Sequence, residues 1–240
     1  MNYTQFKHVV VLTGAGISAE SGIPTFRGQD GLWTQKEMEY LARPETFRKD
    51  PEKVHAFYNQ RRLDLKQSKP NRAHNHIAYM QDELAGSPTR MTLVTQNVDD
   101  LHEKAGTKDV IHLHGELNSA LCIKCQSRMI CDHDLTDQSV CKNCQSQGAL
   151  RPDIVWFGEI PYHLDEVQKA LLQCDMFVSI GTSGSVFPAA DFVNTAKQNG
   201  AFTVELNLTP SENAKVFDHT NYGLASQIVP NWIDTFIHGP

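Results

Sequence analysis

His8-Val9-Val10-Val11-Leu12-Thr13-Gly14-Ala15-Gly16-Ile17-Ser18-Ala19 is the stretch whose reading decides the fold. Four apolar, mostly β-branched residues in a row suit a strand buried on both faces, as in a parallel sheet. Gly14 and Gly16 then end that strand in a tight turn. A turn without Cβ atoms lets the backbone close on a pyrophosphate, and N–H groups at the start of a following helix attract its charge. With Ala19 in third place the spacing is the G-x-G-x-x-A of dinucleotide-binding folds. The same residues also serve a plain strand-turn-helix without ligand, so the neighbouring segments have to decide.

Those segments argue against an ordinary dehydrogenase, which places a second strand and an acidic residue about 20 residues beyond the glycines. Here Glu20-Ser21-Gly22-Ile23-Pro24-Thr25-Phe26-Arg27-Gly28 runs on to Gly31 and Trp33, and its proline and glycines make it a long loop. A loop carrying Phe26 and Arg27 directly after a phosphate turn reads as a lid over a cofactor. The whole run from Gly14 to Gly28 resembles the cofactor loop of the sirtuins, the NAD-dependent protein-lysine deacylases.

The bulk properties are compatible with such a protein. The chain has 240 residues, 40% of them hydrophobic, enough for one large core and a smaller appended module. A net charge of −6 weighs against a general binder of nucleic acid or of anionic membranes. No apolar run approaches the ~20 residues of a membrane span, and Met1 to His8 lacks the apolar stretch of a signal peptide. The expectation is a cytoplasmic protein with no direct nucleic-acid or membrane partner. Six cysteines, four of them in two CxxC pairs, point to metal in a reducing compartment rather than to disulfides.

Cys122-x-x-Cys125 and Cys141-x-x-Cys144 supply four thiolates in two knuckles, a tetrahedral set suited to one structural zinc ion with no position open for water. The segment between them is small and polar and needs the metal to fold. Cys131 is a spare thiol inside the module, and Cys174 ends a helix as a buried, inert residue. A zinc ribbon that binds nucleic acid shares this spacing. Against it, Lys124, Arg128 and Lys142 are balanced by Asp132, Asp134 and Asp137, and no basic stripe with aromatics appears.

From Lys36 to Gln67 the pattern is helical, broken at Arg43-Pro44 and at Asp50-Pro51, the latter an N-cap and first-turn pair. Tyr58 and Arg61, at i and i+3, share one face of the last helix. An amphipathic helix with a snorkelling arginine has the same pattern. The Tyr-x-x-Arg spacing is also similar to the signature of the sirtuin subgroup that removes succinyl and malonyl groups, where a guanidinium and a phenol can grip a carboxylate. Arg62 lies next door, and only the motif register selects Arg61.

Residues 73 to 85 read as a helix in which His74 and His76, two apart, are capping or surface residues rather than metal ligands. Met91 to Thr95 is a buried strand ending in Gln96-Asn97-Val98-Asp99, where ligands bind in an open α/β sheet. Asn97 and Asp99 also suit helix capping. Val110-Ile-His-Leu-His-Gly115 reads as a short strand with His112 and His114 on one side, in a setting where a histidine is commonly only packed. Residues 151 to 159 resume as an extended segment, in which Trp156 and Phe157 can also simply cover the core. Asp175 to Ile180 is a central strand ending in Gly181-Thr182-Ser183. Pro188 opens a helix over 189 to 198, and 201 to 206 is the next strand, followed by Asn207.

The sirtuin resemblance runs over nearly the whole chain and assigns roles to these positions. It implies His114 as general base with Asn97 beside it. It implies Gly14, Ala15, Gly16, Ser18, Glu20, Thr25, Phe26, Arg27, Trp33, Gln96, Asn97, Asp99, Gly181, Thr182, Ser183, Asn207, Leu208, Thr209 and Ala225 around NAD. Tyr58 and Arg61 then meet the acyl group, and Val155, Phe157, Gly158 and Glu159 the substrate peptide, while His112 is structural. The implied reaction consumes an acylated protein lysine and NAD and yields free lysine, nicotinamide and O-acyl-ADP-ribose. ADP-ribosyl transfer, NAD hydrolysis and a catalytically silent NAD-sensing module are the alternatives.

The fold class that follows is α/β, a doubly wound Rossmann-like parallel sheet with a smaller domain. The large domain takes residues 1–36, 69–118 and 151–240. The small one joins a helical insertion, 37–68, to the zinc module, 119–150, and the site lies in the cleft between them.

Overall fold

The computed structural model describes residues 3–25 and 35–239. Phe26, Arg27 and Trp33 lie outside the described residues. In chain order the elements are β1 (His8–Thr13), α1 (Gln35–Leu41), α2 (Pro44–Lys49), α3 (Pro51–Gln67), α4 (Arg72–Ala85), β2 (Arg90–Thr95), α5 (Leu101–Lys104) and β3 (Ile111–His112). They continue with β4 (Gly115–Cys122), β5 (Arg128–Ile130), β6 (Leu150–Ile154), α6 (Leu164–Gln173), β7 (Met176–Ile180), α7 (Phe192–Gln198), β8 (Phe202–Asn207), β9 (His219–Tyr222) and α8 (Ala225–His238).

Among the described residues the main sheet has six parallel strands in the order β3-β2-β1-β7-β8-β9. Counted within the sheet, that is the 3-2-1-4-5-6 order of doubly wound dinucleotide folds, and the order reverses between β1 and β7. Period-two alternation sends Val9 and Val11 to a core shared with α4 and α8 and Val10 and Leu12 to a core shared with α6 and α7, so the unbroken apolar run serves two cores. No helix among the described residues is long and apolar enough to cross a membrane.

A second, antiparallel sheet has the order β5-β4-β6. The sequence expectation has the extended segment after the zinc module rejoining the main sheet, but β6 pairs with β4 instead. The small sheet therefore runs from Gly115 and closes at Ile154, outside the bounds of 119 and 150 expected for the module. Alternation marks a strand without naming its partner, so the sequence leaves this choice open. The helical insertion packs on this sheet through a cluster that includes Phe47, Val54, Phe57, Tyr58, Leu117, Ile154 and Trp156.

Three expectations for local structure change. The glycine turn leads into two short 3-10 turns, Ala15–Ile17 and Ala19–Ser21, rather than into a helix. Asn71 Nδ2 donates to the Ile17 carbonyl at 2.7 Å, which occupies an acceptor that a continuing helix uses. The strand expected over 110–115 covers only Ile111–His112 before the chain turns, and Gly115 opens β4 by pairing with Ile154. The helix expected from residue 189 begins at Phe192, after a 3-10 turn over Ala189–Asp191.

The breaks in the insertion fall where the prolines place them. Asp50 caps α3 by accepting from Lys53 N at 3.1 Å, with Pro51 at the first helical position. His74 completes a capping box at the start of α4, accepting from Asn71 N at 3.3 Å, while His76 stands outside that box and bonds the Arg72 carbonyl.

Candidate active site

The site forms where β1, β2, β7 and β8 end, at the reversal of strand order. The loops after β1 and β7 lock together: Gly14 N donates to Ile180 O and Gly16 N to Gly181 O, both at 2.9 Å. A Cβ on Gly16 would lie 2.7 Å from Gly181 Cα, and one on Gly14 2.8 Å from Gly181 O. The two glycines thus serve a close approach between loops as well as any approach to a phosphate. On β8, Asn207 Nδ2 donates to Thr182 O at 2.8 Å, and Leu208 and Thr209 follow it as exposed residues.

Polar groups below this cradle are tied to one another. Ser18 Oγ donates to Asp99 Oδ2 at 3.0 Å, and Asn97 Nδ2 reaches Gly14 O and Ser18 Oγ, each at 3.2 Å. Donation to a carbonyl fixes the Asn97 amide, so its Oδ1 is the edge left as an acceptor. Burial raises the pKa of Asp99, and the Leu101 N–H and Ser18 hydroxyl pull it part of the way back. Asp99 thus accepts from Leu101 N, at the first residue of α5, at 3.2 Å while it holds the serine.

His112 and His114 bind successive carbonyls of the same loop. His114 Nδ1 lies 2.9 Å from Gln96 O, and His112 Nδ1 lies 3.1 Å from Asn97 O with its Nε2 on Glu103 Oε1 at 2.8 Å. A carbonyl only accepts, so Nδ1 of His114 carries the hydrogen and Nε2 keeps the basic lone pair. Burial lowers the pKa of His114, and the bond to Gln96 offsets part of that shift. Gly115 follows at φ +79, where a Cβ would sit 2.0 Å from Asp153 O; the turn that presents His114 therefore requires glycine.

The remaining sequence-predicted residues fall around this centre. Ala15 and Thr25 lie on the loop after β1, and Ser183 follows Gly181 and Thr182. Glu20 binds Ser226 N at 2.8 Å and Ser226 Oγ at 2.6 Å, which fastens the loop to the start of α8 at Ala225. Val155 N donates to His114 O and Phe157 N to Ala42 O, so the segment that continues through Gly158 is tied to the turn after β3 on one side and to the turn between α1 and α2 on the other. Glu159 spends its carboxylate inside the chain, on Arg151 at 2.6 and 2.8 Å and on Trp156 N at 2.8 Å.

On α3, Tyr58 is buried and its oxygen accepts from Trp156 Nε1 at 2.9 Å. Burial pushes the phenol up to about 12. Arg61 is partly buried beside the Phe57 ring, 5.6 Å from its centroid, and its side chain makes no hydrogen bond or ion pair with another described residue. Burial lowers its pKa, and the nearby carboxylates of Asp64 and Asp99 act to raise it. Arg62 points the other way, into the module: its Nε donates to Leu117 O at 2.8 Å and its Nη1 to Asn59 Oδ1 at 2.8 Å. Asn59 and Lys66 join it by bonding the backbone of Leu135 and Asp132.

The four predicted metal ligands, Cys122, Cys125, Cys141 and Cys144, bring their sulfurs within 4.8 Å of one another. The Cys122 to Cys144 and Cys125 to Cys141 distances are 3.6 and 3.7 Å. A tetrahedron with Zn–S bonds of about 2.3 Å has edges of about 3.8 Å, so the donor set fits zinc with every position filled. Cys131 stands outside the set, with its thiol on His133 O at 3.3 Å. Cys174 caps α6, and burial pushes its thiol up to about 11.

Sequence reasoning did not anticipate Trp156 and Arg151 behind Tyr58, or His102 below the cradle. His102 Nε2 meets Thr13 Oγ1 at 3.0 Å, and its ring lies 5.0 Å from that of His74. No motif flags these residues, since each touches the site only through another side chain.

A model of the Sir2 family matches residues 14–188, from the glycine turn through the zinc module to the loop after β7. The chain belongs to the Sir2 family. An NAD-dependent protein deacylase of Caulobacter vibrioides is 48% identical over 229 residues, covering 95% of this chain and 96% of that one. One of Escherichia coli (strain K12) is 51% identical over 233 residues, covering 96% and 82%. Among solved structures, a Sir2 homolog–NAD complex superposes with a TM-score of 0.87 at 39% identity, covering 97% and 90%. A Sir2 bound to acetylated peptide does so with a TM-score of 0.82 at 27% identity, covering 97% and 94%. In this Sir2 chain the glycine-to-glycine lock, the fixed Asn97 amide and a His114 Nε2 that no described residue bonds fit a dinucleotide laid across the strand ends.

Proposed function

We propose that the protein is an NAD-dependent protein-lysine deacylase of the cytoplasm that removes acetyl and acidic acyl groups, succinyl and malonyl, releasing nicotinamide and O-acyl-ADP-ribose. His114 carries the reading: its tautomer is set by Gln96, and no described residue bonds its Nε2.

Bound NAD supplies an electrophilic ribose carbon with nicotinamide as leaving group. Gly14, Ala15, Gly16, Thr182, Ser183 and Asn207 bind and orient it, and Asn97 with Asp99 and Ser18 receives the nicotinamide end. His114 accepts a ribose hydroxyl proton at Nε2, the proton transfer of a general base. The peptide lies along Val155, Phe157, Gly158 and Glu159, where backbone pairing gives affinity without demanding one sequence. Tyr58 and Arg61 support the acidic preference, because they offer an O–H and a guanidinium for which no described residue provides an acceptor.

Nicotinamide release with matched acetyl- and succinyl-lysine peptides tests the reading. His114→Ala is expected to cost about 10²- to 10⁴-fold in rate. Arg61→Met is expected to lower the succinyl-to-acetyl ratio of kcat/KM about ten- to hundredfold. Equal losses on both peptides make Arg61 structural. ADP-ribose on the peptide, or free ADP-ribose without deacylation, overturns the deacylase in favour of ADP-ribosyl transfer or NAD hydrolysis.

A further inference from the structure

We propose that Trp156 is a positioning residue for acyl selectivity: its indole N–H, donated to the Tyr58 oxygen, turns the phenol hydrogen toward the acyl group. The inference rests on the acidic-acyl reading above and adds a residue that never touches the acyl chain.

Three observations support it. The indole and the phenol are both buried, 2% and 3% exposed, and joined at 2.9 Å. A phenol oxygen has one hydrogen to donate. When the oxygen receives the indole N–H, its own hydrogen is directed away from the indole, and no described residue offers that hydrogen an acceptor. Arg61 lies one helical turn further on, at i+3 on the same helix as Tyr58. Two donors with no acceptor among the described residues complement a carboxylate at the end of an acyl chain, and an acetyl group has no carboxylate to give them.

The indole itself is held in place. The Arg151 guanidinium lies 3.4 Å from the Trp156 ring centroid, and the Phe47 ring lies 5.4 Å away. Arg151 is gripped by both Glu159 oxygens and donates to Ile154 O at 2.5 Å. Glu159 also accepts the backbone N–H of Trp156. The path from Glu159 through Arg151 and Trp156 to Tyr58 fixes one donor direction in advance, so that less ordering is left for the moment of binding.

Trp156→Phe keeps the packed ring and removes only the N–H. The expected result is a KM for succinyl-lysine peptide raised about three- to tenfold, with kcat and the acetyl-lysine KM held within twofold. In a Tyr58→Phe background the same substitution should no longer change the succinyl-to-acetyl ratio. Equal changes on both peptides, or the same effect with and without the Tyr58 hydroxyl, overturn the proposal. If Trp156→Phe does not fold, the indole N–H resonance of the wild-type protein decides. It should be protected from exchange and shift on adding succinyl-lysine peptide with ADP-ribose, and the acetyl peptide should leave it in place; identical responses to both overturn the proposal. Arg61→Met separates the two failures. A ratio unmoved there sinks the acidic-acyl reading, whereas a ratio that falls there and survives Trp156→Phe sinks this inference alone.

Discussion

His114 gives its Nδ1 hydrogen to the carbonyl of Gln96 across 2.9 Å, which makes Nε2 the nitrogen available for proton transfer. Burial lowers the pKa of this imidazole below the usual 6.5. A base with a lowered pKa stays neutral, and therefore active, further into acid. The acid limb of the kcat/KM profile is expected to fall with an apparent pKa below 6.5, and to disappear along with the activity in His114→Ala. A limb centred well above that value assigns the base elsewhere.

His112 titrates in the opposite sense. Burial lowers its pKa, but the hydrogen bond and charge of Glu103, 2.8 Å away, outweigh that and leave it raised. A raised folded-state pKa contributes stability that is complete below the unfolded value of about 6.5 and is lost as pH rises through the folded value. Glu103 is 39% exposed, so solvent screening holds the effect to about 1 kcal/mol. Urea unfolding of Glu103→Gln should show that loss at about pH 6 and little of it at about pH 9.

Zinc removal should act on structure before it acts on rate. One zinc ion per chain is expected, and a chelator or Cys141→Ser should unfold residues 122–149, since binding free energy of about 10–16 kcal/mol becomes folding free energy in such modules. Hydrogen exchange should rise there while β1, β2, β7 and β8 stay protected. Alkylation of Cys131, buried at 1% exposure, should appear only after the metal leaves.

Gly16→Ala should lower the melting temperature. Its new methyl would meet Gly181 Cα at 2.7 Å, an overpacking that costs about 1–3 kcal/mol, or roughly 2–4 °C per kcal/mol in a chain of this size. Gly86 closes α4, and a methyl added there would have nothing within 4 Å, so Gly86→Ala is the neutral comparison. Equal melting temperatures for the two variants refute the loop contact.

Much of the sheet is readable in the chain because its signals are local. The apolar run of Val9 to Leu12 suits a strand buried on both faces, and two CxxC pairs announce a tetrahedral site whatever surrounds them. The prolines at 44 and 51 cut the insertion into its three helices. The missed elements lack such signals. β9, His219-Thr-Asn-Tyr222, is a short, polar edge strand, and α8 carries Pro230 in its interior, which reads as a helix breaker. Pairing of β6 with β4 joins segments separated by the whole zinc module. The contrast between Arg61 and Arg62 depends on whether a carbonyl of β4 lies within reach, which no local pattern in α3 reports.

The division of labour along α3 constrains how the enzyme can be rebuilt. Tyr58 and Arg61 serve the proposed acyl pocket, while Asn59, Arg62 and Lys66 are bonded to backbone groups of Leu135, Leu117 and Asp132. A chimera that exchanges the metal module but keeps the native helix would present foreign carbonyls to Arg62, whose Nη2 is already buried without a partner among the described residues. Grafts intended to transfer acyl preference between relatives therefore need residues 51–67 and 115–154 moved as a single block.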